Sequence, residues 1–207
     1  MTAEVAGERD SVVVLREDDP SAVGLLAEGW QVVSESWGAR LTVCDPAEVD
    51  SLMTLVLAAE ARGWSVVRLL PAEAHRVVDL DRASLDDYPG DGGPATVHTV
   101  PDEHVLARDL AADWSAYGAV SRAGALDAVT VMRPDDERIE TEFTVTRSDQ
   151  RRRGLATAVK AYGIVDHVRR GHRLFGTGGA SRNIASIRTN LGLGYVLEPR
   201  WLSLRRP

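Results

Sequence analysis

The sequence predicts an α+β fold, with one mixed, mostly antiparallel central sheet flanked by helices and a smaller N-terminal αβ extension. Three observations lead there. Residues 115–121, 125–132 and 139–146 are strand-like runs separated by turns of only a few residues, which implies an antiparallel meander. Helical patterns lie on either side of it, at 101–111 and 155–168. The 207 residues, 44% hydrophobic and 27% charged, have the length and balance of a globular chain that buries its own core.

Taken in order, residues 1–10 are polar and expected to form a disordered tail. Residues 11–15 are an apolar run between charges and read as a buried strand. Asp18-Asp19-Pro20-Ser21 starts a helix, with proline tolerated in its first turn, that ends near Gly29. Two strands, 31–36 and 39–43, follow about a turn at Trp37-Gly38. Asp45 caps a helix with Val49, Leu52, Met53, Leu55, Val56 and Ala59 at helical spacing, and Gly63 ends it. Residues 65–70 read as a strand, and Pro71 opens a helix to about Leu85. The breaker-rich run 86–94 must be a loop.

Beyond the meander, Leu155, Val159, Tyr162 and Val165 mark one face of a helix that Gly171 stops. Residues 173–176 read as a short strand, 183–191 as a helix, and 195–197 and 201–204 as the last strands. The organisation expected is a tail (1–10), an extension (11–63) and a main domain (64–207). Residues 28–37 echo 193–201, each with a Gly-aromatic start. Either 11–43 is the remnant of a second copy or two β-hairpins share that start by chance.

Composition narrows the function. Cys44 is the only cysteine, so no intramolecular disulfide forms, and the five histidines are scattered without metal-site spacing. The N-terminus is no signal peptide and no apolar run is long enough for a membrane span, so the expected location is the cytoplasm. Residues 147–207 carry 13 Arg+Lys against 3 Asp+Glu, while residues 1–146 carry 11 against 28. A basic third on an acidic chain suits a phosphorylated cofactor, nucleic acid or its own acidic half. The scarcity of aromatics among the arginines argues against single-stranded nucleic acid.

The stretch from Thr144 to Ala156 reads as a strand, an arginine-rich turn and the first turn of a helix. Gly154 and Ala156 allow close approach to a helix N-terminus, where free N–H groups and the helix dipole favour an anion such as a pyrophosphate. An ordinary strand-to-helix connection under a solvated basic patch fits the same residues.

Arg151-x-x-Gly154-x-Ala156 resembles the Gln/Arg-x-x-Gly-x-Gly/Ala signature of the GCN5-related N-acetyltransferase (GNAT) superfamily, after the fourth strand and opening the third helix. Thr177 followed by Asn183, Ser186, Asn190 and Leu193-Gly194-Tyr195 is similar to a second block of that family. Together they cover residues 65–207. The resemblance implies an acetyl-CoA or other acyl-CoA donor, no metal, and a primary amine as acceptor in a small molecule or a protein. It implies that Gln150, Arg151, Arg152, Arg153, Gly154, Leu155 and Ala156 hold the pyrophosphate. Pantetheine would lie along Val145 and Thr146, with Thr177, Arg182, Asn183 and Asn190 as further donor contacts.

An amine would attack the thioester directly while a base takes its proton. Strand alternation puts Glu140, Glu142, Thr144 and Thr146 on one face, making Glu142 or Glu140 the candidate base, with a solvent-facing carboxylate as the alternative for each. Acidic residues between 79 and 91 suit a cationic acceptor. The sequence departs from the family at Asn190, where many members have a tyrosine general acid, and at Gly179, where an asparagine is frequent. Asn190 can hydrogen-bond sulfur but has no proton to give. A non-catalytic acyl-CoA-binding module is therefore the alternative function. The truncated leading copy is similar to tandem members of the family, mycothiol synthase-like proteins among them, and a homodimer stays open.

Overall fold

A computed structural model describes residues 12–88 and 98–207. The expected tail and most of the expected loop at 86–94 lie outside these residues. The described strands are β1 (Val12–Arg16), β2 (Gln31–Thr42), β3 (Trp64–Arg68), β4 (Ser115–Ser121), β5 (Leu126–Asp135), β6 (Arg138–Thr146), β7 (Leu174–Ala180), β8 (Val196–Leu197) and β9 (Trp201–Arg205). The helices are α1 (Pro20–Ala27), α2 (Pro46–Glu60), α3 (Ala74–Ala83), α4 (Glu103–Ala112), α5 (Leu155–Arg169) and α6 (Ile184–Gly192). The strands form a mixed, mostly antiparallel sheet in the order β1-β9-β2-β7-β6-β5-β4-β3, with β8 also on β2. β4 to β6 are the expected antiparallel meander, β3 pairs antiparallel with β4, and the β6–β7 pair is parallel.

Helices cover both faces. α2 and α5 share a core with Trp37, Leu41, Tyr117, Met132, Ile139 and Phe175. On the other face α3 and α4 pack on Val129, Val131, Phe143 and Val145. α5 lies close to the sheet because Gly163 has no side chain: a Cβ there would be 2.8 Å from Met132 Sδ and 2.9 Å from the Tyr117 ring. Helix starts follow the expected chemistry. Asp19 accepts from Ser21 N–H at 2.8 Å, and Asp45 with Glu48 closes a capping box on α2.

Four expectations need correction. The two strands at 31–36 and 39–43 are one strand, β2, because Trp37 and Gly38 pair with Gly179 and Gly178 of β7 instead of turning. The helix expected from Pro71 to Leu85 is a 3-10 turn (Pro71–Glu73) followed by α3. The strand expected at 173–176 continues to Ala180, since its glycines let β2 approach closely; a Cβ on Gly178 would be 2.8 Å from the Trp37 carbonyl oxygen. Finally, Glu140 and Thr144 do not share a face. β6 carries a bulge in which Phe143 is opposite Val131 and Thr141 opposite Met132, leaving Glu142 as the extra residue and inverting the alternation beyond it.

Residues 12–63 join this same sheet and core. β1-α1-β2 and β7-α6-β9 are arranged so that the last strand of each unit pairs with the first strand of the other, while β2 and β9 pair together. The Gly-aromatic echo lies at matching places: Gly29 (φ +92°) and Gly194 (φ +91°) each follow a helix and lead to an aromatic residue and a strand. Among the described residues no helix is long and apolar enough to cross a membrane.

Candidate active site

The site begins where β6 and β7 part. Their ladder runs only from Arg138 opposite Leu174 to Glu140 opposite Gly176. β6 then continues against β5 as far as Thr146, and β7 against β2 as far as Ala180. The two strands leave a wedge with an open backbone edge on each side, a place for an extended ligand to add as a strand. The bulge at Glu142 bends β6 at this point.

From the end of β6 the chain enters the basic turn. Gln150 N–H bonds back to Arg147 C=O at 2.9 Å, and Arg152 takes a positive φ of 59°. Gly154 is the N-cap of α5 at φ +73°, a left-handed conformation that favours glycine, and no side chain caps the helix. The first N–H groups of α5 are thus left open to a ligand. The turn is anchored on both sides. Arg147 meets buried Asp127 at 3.1 Å, and Asp127 accepts from Trp64 Nε1 at 2.8 Å. Arg151 Nε donates to Thr146 C=O at 3.2 Å, and its Nη2 pairs with Asp87. Arg153 lies over the Trp64 ring at 5.8 Å. Arg62, from the end of α2, reaches within 3.4 Å of where a Gly154 Cβ would be, adding a cation that the sequence reading did not place there.

A cleft of about 510 Å³ follows this loop. It gathers Val145, Thr146, Gln150, Arg151, Arg152, Gly154, Leu155, Ala156, Asn183 and Asn190, with Asp87 and Tyr88 on its rim. Arg153 and Arg182 do not line it, and Thr177 lies in a second cleft of about 400 Å³ with Trp37, His98, Glu142 and Gly179. Tyr88, Thr144, Lys160, Asn183 and Ser186 line both, so the two clefts meet at these residues.

The two candidate bases are placed differently. Glu142 lines the second cleft and accepts from Arg133 Nε at 2.8 Å. Glu140 lines neither and is bound by Arg138 at 2.9 Å and Arg40 at 3.2 Å. Its carboxyl occupies the space of the missing Gly176 side chain. Burial pushes that carboxyl above its usual range, against the pull of Arg40 and Arg138. Asn183 caps α6 through Ser186 N–H at 3.0 Å. Asn190 is buried, with Nδ2 donating to Ser186 C=O at 2.8 Å and Oδ1 unpartnered.

Sequence reasoning missed three parts of this site. Asp81, fully buried, accepts from Tyr88 O–H at 2.8 Å and is 2.8 Å from His98 Nε2, while Tyr88 and His98 stack at 4.0 Å. Trp37 closes the second cleft, donating from Nε1 to Ala180 C=O at 3.1 Å. Lys160 is fully buried on α5, its Nζ donating to Thr177 Oγ1 at 3.2 Å and lying 5.4 Å from the Tyr195 ring centroid. Asp81 fell within the acidic residues read at 79–91, and Lys160 stood out only as the sole lysine among 24 basic residues. Of the acidic residues at 79–91, Asp79 pairs with Arg82 at the surface, and Asp91 lies outside the described residues. Among the described residues, no group of three or more His, Cys, Asp or Glu side chains is placed to hold a metal.

No protein-family profile matches this chain, and no curated protein matches it in sequence. Solved structures do match in three dimensions. The chain is similar to a GCN5-related N-acetyltransferase of Sphaerobacter thermophilus, at 16% identity and a TM-score of 0.65 over 95% of this chain and 60% of that one. It is similar to a tandem GNAT protein of the clavulanic acid biosynthesis pathway, at 21% identity and 0.58 over 94% of this chain and 62% of that one. An aminoglycoside acetyltransferase from an uncultured soil metagenomic sample, solved with sisomicin, matches at 8% identity and 0.54 over 64% of this chain and 88% of that one. The chain thus spans about 60% of the length of the first two.

Proposed function

We propose that this chain, which has the fold of the GCN5-related N-acetyltransferases, transfers an acetyl group from acetyl-CoA to a primary amine. The observation that carries the reading is the joining of an uncapped helix N-terminus, ringed by arginines, to a strand wedge that opens into a second cleft. An anion at the N–H groups of 154–156 is favoured by the helix dipole and by Arg151, Arg152 and Arg62. An extended pantetheine chain can then hydrogen-bond the free edge of Val145 and Thr146, with its thioester where the clefts meet. Glu142, in the second cleft and held by Arg133, is the base for the incoming amine.

Calorimetry tests the donor site. Arg151→Glu and Gly154→Asp should weaken acetyl-CoA binding at least about tenfold, since each places a negative charge against the phosphates and the second also forces a Cβ into a left-handed backbone. Unchanged affinity in both would overturn the site. Glu142→Gln should lower turnover by about a hundredfold or more with donor affinity kept, and equal turnover would remove it as base.

A non-catalytic acyl-CoA-binding module is favoured by one observation: Asn190 stands where a proton donor would be expected and has none. Thiol release from acetyl-CoA over a panel of primary amines separates the two readings. On the same fold-based reading, residues 12–43 are the remnant of a second copy whose last strand-helix-strand unit exchanges strands with β7-α6-β9.

A further inference from the structure

We propose that Lys160 donates the proton taken up by the departing coenzyme thiolate. The inference rests on the acyl-CoA reading above and fills the role that Asn190 leaves vacant. The thioester carbon must lie where the donor cleft meets the acceptor cleft, and Lys160 lines both. Its Nζ is wholly buried yet has, among the described residues, a single hydrogen-bond acceptor, Thr177 Oγ1, and otherwise faces the Tyr195 ring. An ammonium has three protons to donate, so two remain for a ligand. A buried lysine left this short of partners is costly to the fold and calls for a functional reason.

The groups around it set its titration. Burial pulls the amine down to about 7, and the Glu140 carboxylate, across the Gly176 gap, pushes the other way. Arg40 and Arg138 offset part of the Glu140 charge. The Tyr195 hydroxyl is itself pushed up by burial and stays neutral. Tyr88, the other ionisable side chain at the junction, is held up by burial and by Asp81, and its proton is committed to that carboxylate. Lys160 alone at the junction exchanges a proton near neutral pH.

The step balances. The neutral amine attacks the thioester carbon, a C–N bond forms, and the C–S bond breaks with its electron pair passing to sulfur. Lys160 gives one proton to that sulfur and becomes neutral. The surplus proton on the new amide nitrogen passes to Glu142. Glu142 then releases a proton to solvent and Lys160 takes one up.

Lys160 is the only lysine in the chain, so protein labelled with ¹³C at the lysine ε-carbon gives one signal that reports it alone. In the free protein the signal should titrate far below the ordinary lysine value of 10.5, near 7. Adding coenzyme A should move the midpoint up by about one unit or more, because the thiolate favours the ammonium, whereas desulfo-coenzyme A should not. Equal midpoints with the two ligands would overturn the inference. Failure of either ligand to bind in calorimetry would instead overturn the acyl-CoA reading itself. In turnover, Lys160→Met and Lys160→Arg should both slow thiol release about a hundredfold with donor affinity kept. An aryl thioester, whose thiolate leaves without a proton, should recover most of the loss in Lys160→Met. Wild-type turnover in Lys160→Met would overturn the assignment.

Discussion

His167 sits on the buried face of α5 with both ring nitrogens unpartnered, against the edges of Tyr117 and His172. Burial pulls its imidazole down to about 3, and the Arg170 and His172 charges act in the same direction. The folded value lies below the ordinary 6.5, so the unfolded chain takes up this proton first. Its contribution to stability is therefore complete above about pH 6.5 and is lost as the pH falls toward 3. His167→Leu should narrow the drop in urea midpoint between pH 7 and about pH 4.5 relative to the wild type. An unchanged drop would mean the ring is not buried neutral. At this scale the turn into α5 was legible because the run from Arg151 to Ala156 acts through local backbone geometry. Lys160 and His98 were not, because their meaning depends on which distant strands and helices surround them.

Two strands decide the shape of the second cleft. β2 and β7 approach closely because Gly178 offers no Cβ to the Trp37 carbonyl. Gly178→Val should cost about 1–3 kcal/mol by overpacking and lower the denaturation midpoint, and a variant as stable as the wild type would show that the strands can separate freely. The meander was readable from its short turns, and α1 and α2 from their Asp-Pro starts. β2 was misread at Trp37-Gly38 because a glycine marks a turn only when nothing pairs with it. Its partner, Gly178, lies far along the chain in β7. The bulge at Glu142 was invisible for a similar reason: an extra residue shows only in the register with β5.

The charge asymmetry of the chain is partly resolved within the molecule. Arg200 binds Glu17 at 2.8 Å and Glu35 at 2.6 Å, Arg147 binds Asp127, and Arg151 binds Asp87. Part of the basic third is thus partnered by the acidic half. The same interleaving bears on the expected boundary near residue 64. β2 lies between β7 and β9, and Trp37, Leu41 and Val43 belong to the core that holds α5. A fragment of residues 64–207 is expected to lack a cooperative unfolding transition, and its folding alone, seen by circular dichroism and amide dispersion, would overturn that expectation.

The exchange of strands between β1-α1-β2 and β7-α6-β9 also sets a schedule for synthesis. Val12 pairs with Arg205 on one side of β9 and Gln31 with Arg205 on the other, so strands made early wait for one made much later. The meander, α5 and the pairing of β2 with β7 can assemble before Trp201–Arg205 is made, but β1 and the start of β2 cannot join the sheet until then. Until Trp201–Arg205 emerges, the apolar strand β1 travels unpaired with the start of β2, exposed to chaperones and to aggregation. The nascent chain would thus hold the turn at 147–154 before it holds a finished sheet.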